Sequence, residues 1–168
     1  MAPYRYKCST CSEWHEGIPD IAYAEPYHAA DIPSAERPTR LRLTSDLCSI
    51  DERDFFIRCG LLLPIKGTGE RFGWGVWASL SETNFLRYVD HYEEDMSGWD
   101  PMFGWLSNRL PGYPDTLNLK LSIQPREKGA RPVATLEPIE HPLSVEQREG
   151  MTIVRAQELV RPVLHRET

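Results

Sequence analysis

Residues 72–80 read FGWGVWASL, and their alternation is the pattern that most narrows the folds open to this chain. Phe72, Trp74, Val76, Ala78 and Leu80 fall on one face and Gly73, Gly75, Trp77 and Ser79 on the other, the two-residue period of a half-buried strand. The first face is core. The second carries two glycines at strand spacing beside Trp77. Glycine weakens a strand, so its use there points to a backbone, a large side chain or a ligand that comes close. Read as a ligand-binding feature, Gly73, Gly75 and Trp77, joined by Asn84, form a shallow slot with an aromatic wall; read otherwise, the aromatics are ordinary core.

Ser79 and Glu82 match a capping box, so the chain is expected to turn there into a helix that carries Phe85, Val89 and Tyr92 on one face. Upstream, residues 55–65 alternate again, and the glycine-containing connection 66–70 joins them to residue 72 as a hairpin. That connection lacks the Lys-Ser/Thr ending and the strand-to-helix setting of a phosphate loop. Leu41, Leu43 and Leu47 suggest one earlier strand. Leu117, Leu119, Leu121 and Ile123 mark an amphipathic strand that residues 125–129 turn into 133–136, an edge strand beside Pro132 and Pro138. Residues 103–110 stay open between a strand and a tight helical turn. Ser144 to Gln147 opens a short helix ended by Gly150, and residues 152–160 form another, stopped by Pro162.

The expected fold is α+β: a mostly antiparallel sheet built from two hairpins, one central helix, short C-terminal helices and an N-terminal zinc-knuckle-like turn. A length of 168 residues with 40% apolar content suits a single core. The expected domain spans 1–168, with a Cys/His knuckle at 1–17, an irregular wrapping segment at 18–40 around Pro19, Pro26, Pro33 and Pro38, the core at 41–160 and a frayed tail at 161–168.

The sharpest chemical signal is Cys8-Ser9-Thr10-Cys11, a C-x2-C turn with His15 close behind. Two thiolates on one reverse turn both reach a Zn2+ at about 2.3 Å, and a nearby histidine nearly closes a tetrahedron. The expected metal set is Cys8, Cys11, His15 and Cys48, with His28, His141 and Cys59 behind Cys48 as fourth ligand. A structural zinc site stands against two alternatives, a redox dithiol, which lacks a surrounding βαβ pattern, and unliganded thiols.

A formal charge of −6 and a pI near 5.4 argue against a nucleic-acid partner, which needs a basic face for counterion release. No apolar run approaches the roughly 20 residues of a membrane span, and residues 1–7 do not resemble a signal peptide. A cytoplasmic protein with reduced thiols is the expectation. Of the polar residues Asp46, Asn84, Asn108, Arg109, Asp115, Arg131 and His141, the catalytic candidates are His141 as base, Asp115 as its orienter and Arg131. The bland reading of His141 is a loop tied by hydrogen bonds.

Ser45-Asp46-Leu47-Cys48, Phe55-Phe56-Ile57-Arg58, Phe72-Gly73-Trp74-Gly75-Val76-Trp77, Phe103-Gly104-Trp105-Leu106, Tyr113-Pro114-Asp115-Thr116-Leu117-Asn118-Leu119, Arg131-Pro132 and His141-Pro142-Leu143 occur in one order. Together, over about residues 8–159, they resemble the bacterial proteins grouped as domain of unknown function family 2199. The resemblance implies no activity. It aligns Cys8, Cys11 and His15 with that family's C-x2-C and histidine, and the departure at Cys59-Gly60 argues against Cys59 as a ligand. The functional expectation is a zinc-stabilised binding or accessory domain that presents a Gly-Trp groove to a protein, peptide or small ligand. A metal-dependent or His/Asp-dependent hydrolase is the alternative.

Overall fold

The computed structural model describes residues 5–8 and 10–165. Its two longest strands are β6 (Asp54–Pro64) and β7 (Arg71–Leu80), preceded by β1 (Arg5–Lys7), β2 (Trp14–Glu16), β3 (Ile21–Ala22), β4 (Leu41–Leu43) and β5 (Leu47–Ile50). Strands β6 and β7 pair antiparallel from Phe55↔Leu80 to Pro64↔Arg71, the hairpin that the alternation predicts. After β7 come β8 (Met102–Leu106), β9 (Lys120–Gln124) and β10 (Val133–Leu136). Each of these five strands pairs antiparallel with the one before it, and β10 returns to β6 through Val133↔Gly60 and Ala134↔Leu61. In a meander of five strands the first and last run the same way, so the closing seam is parallel, as observed.

The expected two-hairpin α+β sheet with one central helix is therefore incorrect: the fold is a closed five-stranded β-barrel with extra strands and a few short helices. Two elements make the difference. The segment left open at 103–110 supplies β8, whose residues Met102, Gly104 and Leu106 point inward, and β8 joins the two hairpins. Strand β10 is no edge either, since Gly60 N–H donates to Pro132 O at 2.8 Å. Pro132 offers a carbonyl where its missing N–H is not needed. Closure leaves no unpaired barrel edge.

Strands β6 and β7 are longer than their barrel neighbours, and their outer edges are shared. The first half of β6 pairs with β5, itself paired with β4, so residues 41–50 form two strands where one was expected. On β7, Ala78 and Ser79 pair with β8 while Trp74 and Gly75 pair in parallel with Ile21 and Ala22 of β3.

Helix α1 (Arg37–Arg40) is a single turn; α2 (Glu82–Asp90), α3 (Pro142–Glu149) and α4 (Ile153–Leu164) cover the barrel. At the end where β6 begins, Phe85 of α2 packs on Phe55 with ring centroids 5.0 Å apart. At the other end Met151 N–H bonds Pro64 O, and Leu143, Ala156, Leu159 and Val160 join the interior. The core holds Phe72, Trp74, Leu61, Leu63, Leu121 and Ile123, all nearly inaccessible, and each large apolar side chain so buried stabilises the fold by roughly 2 kcal/mol.

Local signals are corrected in the same way. Ser81, not Ser79, caps α2, its Oγ accepting from Asn84 N–H at 3.2 Å while Ser79 stays in the ladder. His141 caps α3 in place of Ser144, whose hydroxyl donates to Glu137 O. Helix α3 ends at Gly150, as expected, at φ 86°. Helix α4 does not stop at Pro162: it runs to Leu164, because a proline one turn from the end removes little of the ladder. No helix among the described residues is long and apolar enough to cross a membrane.

Candidate metal centre

Strands β1 and β2 form a small antiparallel hairpin that pairs Tyr6 with His15. Its connection is a tight knuckle. Cys8 N–H donates to Glu13 O at 2.8 Å, Ser12 N–H donates to Cys8 O at 3.0 Å, and Ser12 takes the left-handed φ of 62° that the turn requires. Thr10 N–H points at Cys8 Sγ at 3.4 Å. Backbone amides of Cys11 and Thr10, aimed at that sulfur, lower the Cys8 thiol to about 6 and outweigh its desolvation, so a thiolate is favoured near neutral pH.

The knuckle places Cys11 Sγ 3.3 Å from His15 Nε2. The opposite terminus supplies the fourth group. His165, the C-cap of α4, brings Nε2 to 3.2 Å from Cys8 Sγ, and its ring meets that of His15 edge-on at 5.9 Å. One donor atom from each of Cys8, Cys11, His15 and His165 lies within 4.8 Å of every other. Sulfur and nitrogen ligands at the ordinary zinc distances stand about 3.5 Å apart on a tetrahedron, close to these separations. Two sulfurs and two imidazole nitrogens are the donor set of a closed structural zinc site. The adjoining cavity holds only about 10 Å³, too little for a substrate.

Cys48 does not join this set. It lies on β5 in a separate apolar cluster with Ala29, Ile32, Ile50, Phe56 and Trp77, and burial pushes its thiol up to about 12. Cys59 is fully buried inside the barrel, and His28 packs on Phe56. Nothing in the spacing announced His165, which stands 157 positions from Cys8 beyond a proline read as a stop.

The Gly-Trp slot exists but is filled by the chain itself. A Cβ on Gly73 would meet Asp20 Oδ1 at 2.6 Å, and one on Gly75 would meet Ala22 Cβ at 2.8 Å. Asp20 Oδ1 accepts from Gly73 N–H, and Trp77, wholly buried, donates from Nε1 to Tyr23 O at 2.9 Å. Asn84 sits apart, in the first turn of α2.

The catalytic candidates divide. His141 Nδ1 accepts from Leu143 N–H, while Nε2 faces the carbonyls of Pro114 and Asp115 at 3.2 Å each. Carbonyls only accept, so the proton sits on Nε2 and the ring ties the 114–115 loop to α3. The Asp115 carboxylate turns to Arg109 and to Leu117 N–H. Arg131 lies elsewhere, its Nε donating to Asp46 Oδ1 at 2.9 Å, and Tyr92 Oη donates to Asp46 Oδ2 at 2.7 Å.

Fold and site thus define a small β-barrel domain whose β1–β2 hairpin and the end of α4 meet at a Cys2His2 cluster. The chain belongs to the family described as an uncharacterised protein conserved in bacteria, DUF2199, whose model matches residues 7–151. Cys8, Cys11 and His15 fall within the match, and His165 falls outside it. Comparison with curated proteins and with solved structures gave no match.

Proposed function

We propose that this protein is a zinc-stapled binding domain, in which Cys8, Cys11, His15 and His165 hold one Zn2+ and join the N-terminal hairpin to the last turn of α4. The observation that carries the reading is the convergence of four soft or borderline donors within 4.8 Å. Four protein ligands fill a tetrahedral ion, which favours a structural role over water activation. A binding role fits better than hydrolysis because the catalytic candidates do not converge: the His141 ring ties backbone groups, the Asp115 carboxylate turns to Arg109, and Arg131 pairs elsewhere with Asp46. None of the four cysteines is in a disulfide, which supports a reducing compartment such as the cytoplasm. The partner is a protein, peptide or small ligand rather than nucleic acid, given the acidic balance of the chain.

Elemental analysis of untagged protein tests the staple. The expected result is one equivalent of zinc in the wild type and none in Cys11→Ser, with full zinc in Cys48→Ser and Cys59→Ser. A structural site binds at roughly 10 kcal/mol or more, so freshly purified wild type with under about a tenth of an equivalent overturns the proposal.

A further inference from the structure

A cavity of about 360 Å³ opens between α2 and the 127–131 loop, remote in sequence from the metal cluster. The rings of Tyr88 and Tyr92, whose centroids are 6.0 Å apart, form its walls with Met96 and Ala130. Its volume lies in the range of small-molecule sites.

Its polar groups are unequally used. Both oxygens of Asp46 are engaged, Oδ1 by Arg131 and Oδ2 by Tyr92 and Ser45. Donors are left over. Arg131 uses only Nε, so its two terminal amino groups have no partner among the described residues. Tyr88, a lining residue, is 3% exposed, and its hydroxyl also has no hydrogen-bond partner among the described residues. Burial, with the nearby Tyr92 and Asp46, pushes the Tyr88 phenol up, so it keeps its proton and remains a donor.

The surrounding charge favours an anion. Arg58, next to Asp46 and Arg131, is partly desolvated, and its Nε is buried without a hydrogen-bond partner among the described residues. At the rim Lys128 pairs with Glu93 and Arg126 with Glu127, which cancels those charges. Behind them Arg131 pairs with Asp46, and Arg58, whose guanidinium donates to Ser45 O, stands near enough to feel both charges, two cations to one carboxylate.

We propose that this cavity binds a small organic carboxylate with a flat apolar body, its anion on the free amino groups of Arg131 and the Tyr88 hydroxyl, its body between the tyrosine rings and Met96. A planar guanidinium is suited to a carboxylate, and a phenol hydroxyl without a protein partner is free to donate to one. The inference rests on the binding reading above and names its ligand class.

Phenylacetate, 2-phenylethylamine and 2-phenylethanol share one body and differ in charge, so amide-resolved NMR titration of the whole protein with each separates the contributions. Phenylacetate should saturate at concentrations up to about 10 mM with shifts centred on Tyr88, Tyr92, Ala130 and Arg131, and bind more tightly than the alcohol or amine. Arg131→Gln should weaken it about tenfold or more, and Tyr88→Phe, which keeps the ring, several-fold. Unchanged phenylacetate affinity in Arg131→Gln, equal or tighter binding of the amine or alcohol, or no saturable shift at the cavity overturns the proposal. Melting curves establish that both variants are folded. Zinc measured in every sample keeps an empty metal cluster and an empty cavity apart as results.

Discussion

Cys8 Sγ and His165 Nε2 stand 3.2 Å apart although 157 positions separate them, so the N-terminal knuckle and the C-cap of α4 share one candidate metal centre. Closing so long a loop costs conformational entropy, and a metal that bridges it returns its binding free energy as stability of both termini. His165→Ala should therefore lower zinc affinity and loosen α4 while leaving the barrel folded. Hydrogen exchange should show faster exchange across 153–165 and at the knuckle, with β6 and β7 amides unchanged. Faster exchange in β6 and β7 of comparable size would mean that the cluster does not act locally.

Zinc affinity should fall with acidification. The Cys8 thiol, lowered to about 6 by the amides of Cys11 and Thr10, takes up its proton below that pH and then competes with the metal. Competition with a chromogenic chelator between about pH 8 and 5 should show retention at the alkaline end and progressive release towards the acid end. A flat profile would exclude the thiolates as ligands.

Gly75→Val should destabilise the protein by about 1–3 kcal/mol, because the new Cβ lies 2.8 Å from Ala22 Cβ and 3.2 Å from its Cα, and β3 must move. Gly73→Ala should cost less, since it displaces only the side chain of Asp20 and its hydrogen bond to the backbone. Gly98→Ala, with open space around it, serves as the control. Urea midpoints of the three variants give the order; a Gly75→Val midpoint equal to that of Gly98→Ala would contradict the packing of β3 on β7.

Asp46 gives the fold a dependence on pH of known sign. Burial by itself raises its carboxyl, but hydrogen bonds from Arg131 and Tyr92 outweigh this and hold it below the ordinary carboxylate value. A depressed carboxyl contributes stability that is present above its unfolded value, about 3.9, and lost as pH falls through the folded one. Asp46→Asn should cost about 1 kcal/mol near neutral pH, and the gap from wild type should close on acidification below about pH 4. A constant gap from neutral to acid pH would show that the ion pair contributes nothing.

His141→Ala should cost about 1 kcal/mol, the usual penalty for a lost helix cap, since the ring caps α3 and holds the carbonyls of Pro114 and Asp115. His141→Asn, which keeps an acceptor for Leu143 N–H, should recover most of it. Equal losses in both variants, read from thermal melts, would point away from capping.

Much of the molecule is written locally in the chain. The alternation of Phe55 to Leu63 and of Phe72 to Leu80 determined the β6–β7 hairpin, because a two-residue period needs only neighbouring residues to be seen. The crowding beside Gly73 and Gly75 was legible too, as was the knuckle of Cys8, Cys11 and His15, since each is a matter of spacing within a few residues. Tertiary structure decided what lay between distant segments. It turned two hairpins into a barrel, through a short strand containing Gly104 and a parallel seam from Val133 to Gly60, neither of which leaves a periodic trace. It filled the glycine slot with Asp20 and Ala22, buried Cys48 against Trp77, and united Asp46 with Arg131 across 85 positions. It also chose His165 over Cys48 beside the two knuckle thiols. A metal set is selected by where closure of the barrel carries the chain ends, and sequence spacing holds no record of that distance.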